Sequence, residues 1–511
     1  MTKKFYITTP IYYVNAEPHL GHAYSTIVAD VLTRFFRLLG HETYFVTGTD
    51  EHGDKVVQAA EAACETPKEY TDRISSLFQN TWPELDISND YFIRTTDEKH
   101  KKLLQYILQK VYDAGDIYFG EYGGHYCFGC ERFYYEKELI DGKCPDHKVA
   151  PQFLKEENYF FKMSKYQDWL IGHIQSHPDF IRPERYRNEV MAFLRDPLED
   201  LCISRPKSRL EWGITLPFDS NYVTYVWFDA LFNYITAVGY PDSELYYKFW
   251  PSVQHLIAKD ILKPHGIYWP TMLKASGIET YQHLNVHGYW NVDESKMSKS
   301  LGNIVKPLTL KDKYGVDAFR YFLLREMVFG LDANFSESAL VNRLNSDLAN
   351  DLGNLVSRSL TMAIKYFNGV VQKPQEDLEI DTNLKKDAFK AILEVTVQMQ
   401  ELAFNKGLIA IWGFISSINK YIDETSPWSL SKSEDQRERL GTVIYNIIES
   451  LRIITVLIFP FMPNTAKKIW GALGINQDLS TQRLQNINEW GIIKEGTSVS
   501  KIKPIFPRVK Q

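Results

Sequence analysis

Residues 5–48 read FYITTPIYYVNAEPHLGHAYSTIVADVLTRFFRLLGHETYFVTG, and the change of period within this stretch decides the fold. Residues 5–9 are short, aromatic and β-branched and stop at Pro10, which predicts a strand. Residues 21–39 carry Ile27, Val31, Phe35, Leu38 and Leu39 at helical spacing, with Gly40 to stop the helix. Residues 43–47 are a second strand, ended by Gly48. Strand, helix and strand in this length form a βαβ unit, whose crossover requires parallel pairing in an α/β sheet.

Further along, residues 118–221 break the rhythm with Gly123-Gly124, a cysteine cluster and short aromatic segments, and read as an insertion. Parallel-sheet patterning returns over residues 222–228 and 283–286. After about Ser336 strand signals fade, and long amphipathic helices are expected over 340–367, 384–404 and 440–459. The expected fold class is α/β: a Rossmann-type parallel-sheet domain in two halves, residues 1–117 and 222–290, split by the connective insertion over 118–221. Residues 291–338 then link to an all-α domain over 339–511.

A chain of 511 residues exceeds one ordinary core, so several domains are expected. Hydrophobic residues at 44% and charged residues at 24% are ordinary for a soluble enzyme. The charge, 58 basic against 64 acidic residues for a net −6, argues weakly against nucleic acid, because phosphate binding needs a local basic face and not a basic total. Five cysteines, three of them within eighteen residues, exclude a secreted disulfide framework and point to a reducing compartment and a metal. The N-terminal segment has no sustained apolar stretch or small-residue cleavage site, and the most apolar run, residues 453–462, contains Pro460. A cytoplasmic protein without signal peptide or membrane span is expected.

The first chemical signal is His19-Leu20-Gly21-His22, between the first strand and its helix. A helix N-terminus presents free N–H groups and attracts phosphate, Gly21 lets backbone approach a ligand, and two imidazoles can donate to phosphate oxygens as charge develops. Alone, the string equally fits two surface histidines capping a helix. The second signal is Lys296-Met297-Ser298-Lys299-Ser300, followed by Leu301-Gly302-Asn303. Two lysines three apart in a loop of small residues make a cationic arm able to neutralise departing phosphates, although most lysine pairs are merely solvated. A third signal is Cys127-x2-Cys130, thirteen residues, then Cys144-x2-His147, which suits a tetrahedral, closed and therefore structural zinc site. Cys64 and Cys202 are left over and read as buried fillers.

The first two strings, in this order on a parallel scaffold, resemble the paired signatures of class I aminoacyl-tRNA synthetases. The resemblance implies ATP with Mg2+, His19 and His22 on the phosphates, and Lys296 and Lys299 on the departing pyrophosphate, with Asn15, Gly21, Asp260 and Met297 also at the nucleotide. The flanking text resembles the methionyl branch: Thr9-Pro10-Ile11-Tyr12-Tyr13-Val14-Asn15, Gly48-Thr49-Asp50-Glu51-His52-Gly53, Tyr225-Val226-Trp227-Phe228-Asp229-Ala230, and His255-Leu256-Ile257-Ala258-Lys259-Asp260-Ile261 with His265 and Trp269 beyond. Leu231 stands where some relatives have proline.

The methionyl resemblance implies L-methionine as substrate, with Asp50 on its ammonium and Arg205 as electrostatic partner of Asp50. Pro10, Ile11, Tyr13, Trp227, Ala230, Tyr234, Ile261 and His265 would line its pocket, the Tyr234 hydroxyl and the Ile11 N–H reading the sulfur, a weak acceptor. For Trp227, Tyr234 and Ile261 taken singly, a place in the core is the stronger reading. The same branch commonly carries the zinc knuckle, and one ligand set here implies one structural Zn2+. In the helical domain Asn354 and Arg358, four apart on one helix face, and Trp428 after Pro427 would contact the anticodon of tRNA(Met). The chain ends soon afterwards, so a monomer is expected. Other readings are an adenylate-forming ligase that never meets tRNA, a zinc-containing RNA-binding protein without catalysis, and the cysteinyl relative, whose zinc would sit at the substrate.

Overall fold

The structure, a computed structural model, describes residues 2–127, 132–134, 136–145, 148–292, 295–296 and 305–509. Six strands make the central sheet: β1 (Lys4–Tyr13), β2 (Glu42–Asp50), β3 (Tyr91–Arg94), β4 (Ile181–Arg182), β5 (Val253–Ala258) and β6 (His283–His287). Their order is β3-β2-β1-β5-β6-β4, and every neighbouring pair is parallel. β1, β5 and β6 are buried along nearly their whole length, as parallel strands covered on both faces require. The strand order reverses between β1 and β5, and sheets of this kind bind ligands outside the carboxyl ends of the strands at such a reversal.

Helix α1 (Leu20–Leu38) makes the first crossover, as the period change predicted. Pro10 does not end β1, however. The register against β2 shifts between Thr8 and Ile11, so Pro10 falls at an irregularity, where a missing N–H is tolerated, and the strand continues to Tyr13. Residues 222–228 also depart from expectation. Tyr222–Thr224 pairs antiparallel with Ser204–Pro206, and a helix, Val226–Leu231, begins immediately after. The run is a strand only as far as Thr224, as its β-branched residues favour, and residues 226–231 are helical.

The insertion is built on a four-stranded sheet in which Ile117–Cys127 pairs antiparallel with both Arg132–Tyr134 and Gln152–Phe161, and Leu201–Cys202 pairs with the end of the latter. The span 118–221 is not insertion throughout, because β4 lies within it and joins the parallel sheet beside β6. Beyond residue 336 the chain is helical. Glu337–Arg343 and a π-helical turn region, Leu344–Gly353, run into α2 (Asn354–Phe367). α3 (Glu379–Gln400), α4 (Phe404–Thr425) and α5 (Arg437–Ile458) complete the bundle. The helix expected to run to Phe404 stops at Gln400, where Leu402 takes a left-handed φ of 59°. The run Glu434–Ile458 is long and apolar enough to cross a membrane by length and composition, and its apolar window is wholly buried inside the bundle. A helix apolar all round belongs to a core as readily as to a bilayer.

Candidate active site

The N-terminus of α1 opens at the carboxyl end of β1, and its cap is made by the two histidines themselves. His19 Nδ1 accepts the Gly21 amide at 3.0 Å, and His22 Nδ1 accepts the His19 amide at 3.3 Å. The imidazole rings stack with centroids 3.7 Å apart. Because both Nδ1 atoms accept, each neutral ring must carry its proton on Nε2. The cap therefore presents two Nε2–H donors. Burial, and then the neighbouring His19, hold the His22 imidazole well below its ordinary pKa, so it meets a ligand neutral and still as a donor.

The segment after the lysine loop returns to this cap. Backbone of Lys296 pairs with Asn291 in a short hairpin after β6, and Met297 and Lys299 lie outside the described residues. Val305 then accepts the Leu20 amide at 3.0 Å, and Lys306 pairs with Glu17 at 2.9 Å. The chain leaving the loop is thus hydrogen-bonded to the first turn of α1, beside His19 and His22.

Asp50 ends β2, nearly buried, opposite Tyr13 in the β1–β2 register. Tyr13 is half-buried and donates its hydroxyl to His52 O at 3.0 Å. Asn15 and Gly21 are half-buried beside the cap, and Asp260 is exposed just past the end of β5. Trp227 and Ile261 are half-buried, whereas Pro10, Ala230, Tyr234 and His265 are buried. Burial, with Tyr12 and Asp50 as lesser causes, pushes the Tyr234 phenol up.

Tyr234, expected to read the sulfur, is hydrogen-bonded to His265, itself an expected pocket residue. His265 Nδ1 faces Ile261 O at 3.0 Å and must be the N–H. His265 Nε2 is then an acceptor, and Tyr234 OH, 2.8 Å away, must donate to it. His255 is fixed the same way: Trp269 Nε1 donates to its Nε2 at 3.0 Å, so Nδ1–H donates to Thr8 at 2.8 Å.

Arg205 is 1% exposed, with its guanidinium carbon 3.6 Å from the Tyr225 ring centroid. Its Nη1 donates to Ser204 O at 2.6 Å and contacts Cys202 Sγ at 3.1 Å. Cys202 is half-buried and Cys64 is exposed, so neither is a buried filler. Cys127 and Cys144 share a small buried cluster with Tyr134, although they come from a strand end and a distant turn. Two of the expected zinc donors thus lie in one buried cluster, with Cys144 Sγ 3.5 Å from the Tyr134 hydroxyl; Cys130 and His147 lie outside the described residues. Tyr126, next to Cys127, hydrogen-bonds Tyr225, and donates to Asp54 at 3.2 Å, tying the insertion to the start of the helix Asp54–Ala62 that follows β2.

In the bundle, Asn354, Arg358 and Trp428 all line one cleft of about 680 Å³, together with Tyr366 and Lys365. Trp428 is 45% exposed, which rules out a core role for its indole. Arg358 is held by Asn419 O at 3.2 Å and Asp423 at 3.5 Å. Among the described residues, sequence reasoning quoted Asp229 and His255 only within motif strings, with no role, and passed over His100. His100 carries no signal at all, standing on an ordinary amphipathic helix.

Comparison with known proteins agrees with this architecture. Residues 5–152 and 146–360 match the family described as tRNA synthetases class I (M), and residues 381–505 match the anticodon-binding domain of tRNA ligases. The fold and site are those of a class I tRNA synthetase. The chain is 51% identical over 511 residues to the methionine–tRNA ligase of Caldanaerobacter subterraneus subsp. tengcongensis, covering 100% of this chain and 79% of that protein. It is 44% identical over 521 residues to that of Bacillus subtilis, covering 99% and 78%. The crystal structure of Mycobacterium tuberculosis methionyl-tRNA synthetase bound by methionyl-adenylate superposes with a TM-score of 0.94 at 42% identity, covering 99% of this chain and 100% of that one. The chain belongs to the methionyl, or M, family of class I tRNA synthetases.

Proposed function

We propose that this chain is a methionine–tRNA ligase: it activates L-methionine with ATP to methionyl-adenylate and pyrophosphate, then transfers methionine to the 3′ end of tRNA(Met), initiator and elongator. The Asp50 carboxylate holds the methionine ammonium and orients the carboxylate toward the α-phosphorus. As that oxygen bonds to phosphorus, the bond to the β,γ-diphosphate breaks and negative charge moves onto the leaving group. Neutral His19 and His22 donate from Nε2 to the phosphate oxygens, and Lys296 and Lys299 neutralise the pyrophosphate. Asp260 binds the ribose. Magnesium accompanies the ATP. Cys127, Cys130, Cys144 and His147 hold one zinc ion, which stabilises the insertion and takes no part in bond-making. Asn354, Arg358 and Trp428 read the anticodon. The same reading takes the protein as a cytoplasmic monomer away from membranes, and the burial of α5 inside the bundle supports the last point.

One observation supports the activation chemistry: the Leu20 amide on Val305 O at 3.0 Å, which holds the chain that follows the lysine segment at the first turn of α1. Amino-acid-dependent exchange between pyrophosphate and ATP, run with each of the twenty amino acids, tests it. Methionine alone should support exchange; a faster rate with another amino acid would overturn the assignment.

A further inference from the structure

We infer that Asp229, clamped between His52 and His100, is a positioning residue that sets both the Asp50 carboxylate and the Trp227 ring in the amino-acid subsite; the inference rests on the reading of that subsite given above. The three side chains come from three elements: the loop after β2, the helix Glu98–Asp113 and the helix Val226–Leu231. His52 Nδ1 lies 2.7 Å from one Asp229 oxygen, and His100 Nε2 lies 2.8 Å from the other. Exposures of 5%, 1% and 0% for His52, Asp229 and His100 leave the carboxylate little contact with water. Burial alone would raise this carboxyl; the two imidazoles outweigh it and hold it at about 2.

The clamp joins two walls of one subsite. On the β2 side, His52 follows Asp50 by two positions, and the intervening backbone is secured group by group. Trp212 Nε1 donates to Glu51 O at 2.6 Å, and Tyr13 OH donates to His52 O at 3.0 Å. The Glu51 carboxylate takes a bidentate pair from Arg94 at 2.7 and 2.8 Å. Fixing the His52 ring removes the remaining freedom at the end of this loop. On the other side, Asp229 follows Trp227 by two positions and adjoins Ala230. His100 Nδ1 continues to Thr236 Oγ1 at 2.9 Å, in the short helix Asn233–Thr236 that carries Tyr234.

Stability does not call for such a device. A buried ionic cluster can often be replaced by apolar side chains at no loss. What apolar packing lacks is direction, and reacting groups must be held within about 0.5 Å of productive geometry.

The test uses methionine-dependent pyrophosphate–ATP exchange on the full chain, with KM for methionine and for ATP measured separately. Asp229→Asn and His52→Ala should each raise KM for methionine by about 10- to 100-fold and leave KM for ATP within about twofold. His52→Asn, whose amide N–H reproduces the Nδ1 donor, should recover most of the loss. If Asp229→Asn does not fold, the His52→Ala and His52→Asn pair makes the same comparison. Unchanged methionine KM in both His52 variants, with Asp50→Asn still raising it, would overturn the inference while the subsite reading stands. So would equal losses in both KM values, or no recovery by His52→Asn. Unchanged methionine KM in Asp50→Asn would instead remove the subsite reading itself.

Discussion

A side chain at Gly21 would press on the histidine that caps α1: a Cβ built there lies 3.0 Å from His19 Cε1 and 3.2 Å from Nδ1. Gly21→Ala should push the His19 ring off the cap and misdirect its Nε2 donor, lowering the exchange rate by about 10- to 100-fold while calorimetry shows little loss of stability. His22→Ala and Lys299→Ala should nearly abolish exchange, by about 100- to 1000-fold, on the scale of losing a preorganised donor to a developing charge. Acid sensitivity is also decided residue by residue. Burial holds His265 and His287 at about 4, against about 6.5 for a free imidazole. Between these values the unfolded chain binds protons that the folded protein refuses, so stability falls as pH drops from about 6.5 to about 4 and is insensitive to both groups above that window. Each contributes roughly 3 kcal/mol of loss by pH 4. Asp30 and Asp229, held at about 2, act later; their contribution is lost only as pH falls below about 4 toward 2. Urea midpoints should therefore decline steadily from pH 6.5 to 4.5, with a shallower slope in His287→Asn. A flat profile over that range would show that these imidazoles protonate in place.

At the scale of elements, α2 is preceded by a π-helical stretch, Leu344–Gly353, that delivers Asn350 and Asp351 to the same cleft as Asn354 and Arg358. Irregular turns of this kind concentrate at functional sites. An exposed indole opposite them offers a stacking surface worth about 1–3 kcal/mol per base. Trp428→Ala should therefore raise KM for tRNA in the charging reaction by about 10- to 100-fold and leave pyrophosphate–ATP exchange untouched; equal losses in both assays would show a fold defect rather than a lost base contact. The insertion makes a separate prediction. Elemental analysis should find one zinc per chain, lost in Cys144→Ala together with increased proteolysis between residues 128 and 147. A protein that retains full zinc in that variant would place the ion elsewhere.

At the scale of the whole molecule, Arg320 fastens the bundle to the catalytic sheet. It is 0% exposed, and its guanidinium donates to Asp30 at 2.6 Å, to Phe461 O and Pro460 O at 2.9 and 3.0 Å, and to Leu85 O at 3.1 Å. Asp30 also accepts Arg34 at 2.8 Å and the Ser88 amide at 2.9 Å. Asp30 lies on α1, the helix that His19 and His22 cap, so a single side chain links the phosphate-handling helix to the corner of the anticodon domain. Leaving a buried charge without its partner costs about 3–5 kcal/mol. Asp30→Asn should lower the melting temperature and reduce tRNA charging more than methionine activation, because only charging needs both domains in register. Equal reductions would show that the pair serves stability alone.

The α/β class, the crossover at α1 and the place of His19-Leu20-Gly21-His22 at the helix start were legible from residues 5–48, because hydrophobic period and helix-start signals are local properties of a chain. The helical C-terminal region was legible for the same reason, although the break at Leu402 was not, since nothing in its neighbours announces a left-handed residue. Tertiary structure decided the rest. Pro10 reads as a stop and is an irregularity within a longer strand; residues 222–228 read as a parallel strand and are a short antiparallel strand running into a helix; β4 pairs with β6 from inside a span that reads as insertion. The side-chain wiring was equally closed to sequence reading. His52 and Asp229 are 177 positions apart, and Asp30 and Arg320 are 290 apart. Each such pair is a polar group whose partner is set by where two distant backbones meet, and burial makes that partner obligatory without leaving any spacing by which it could be found.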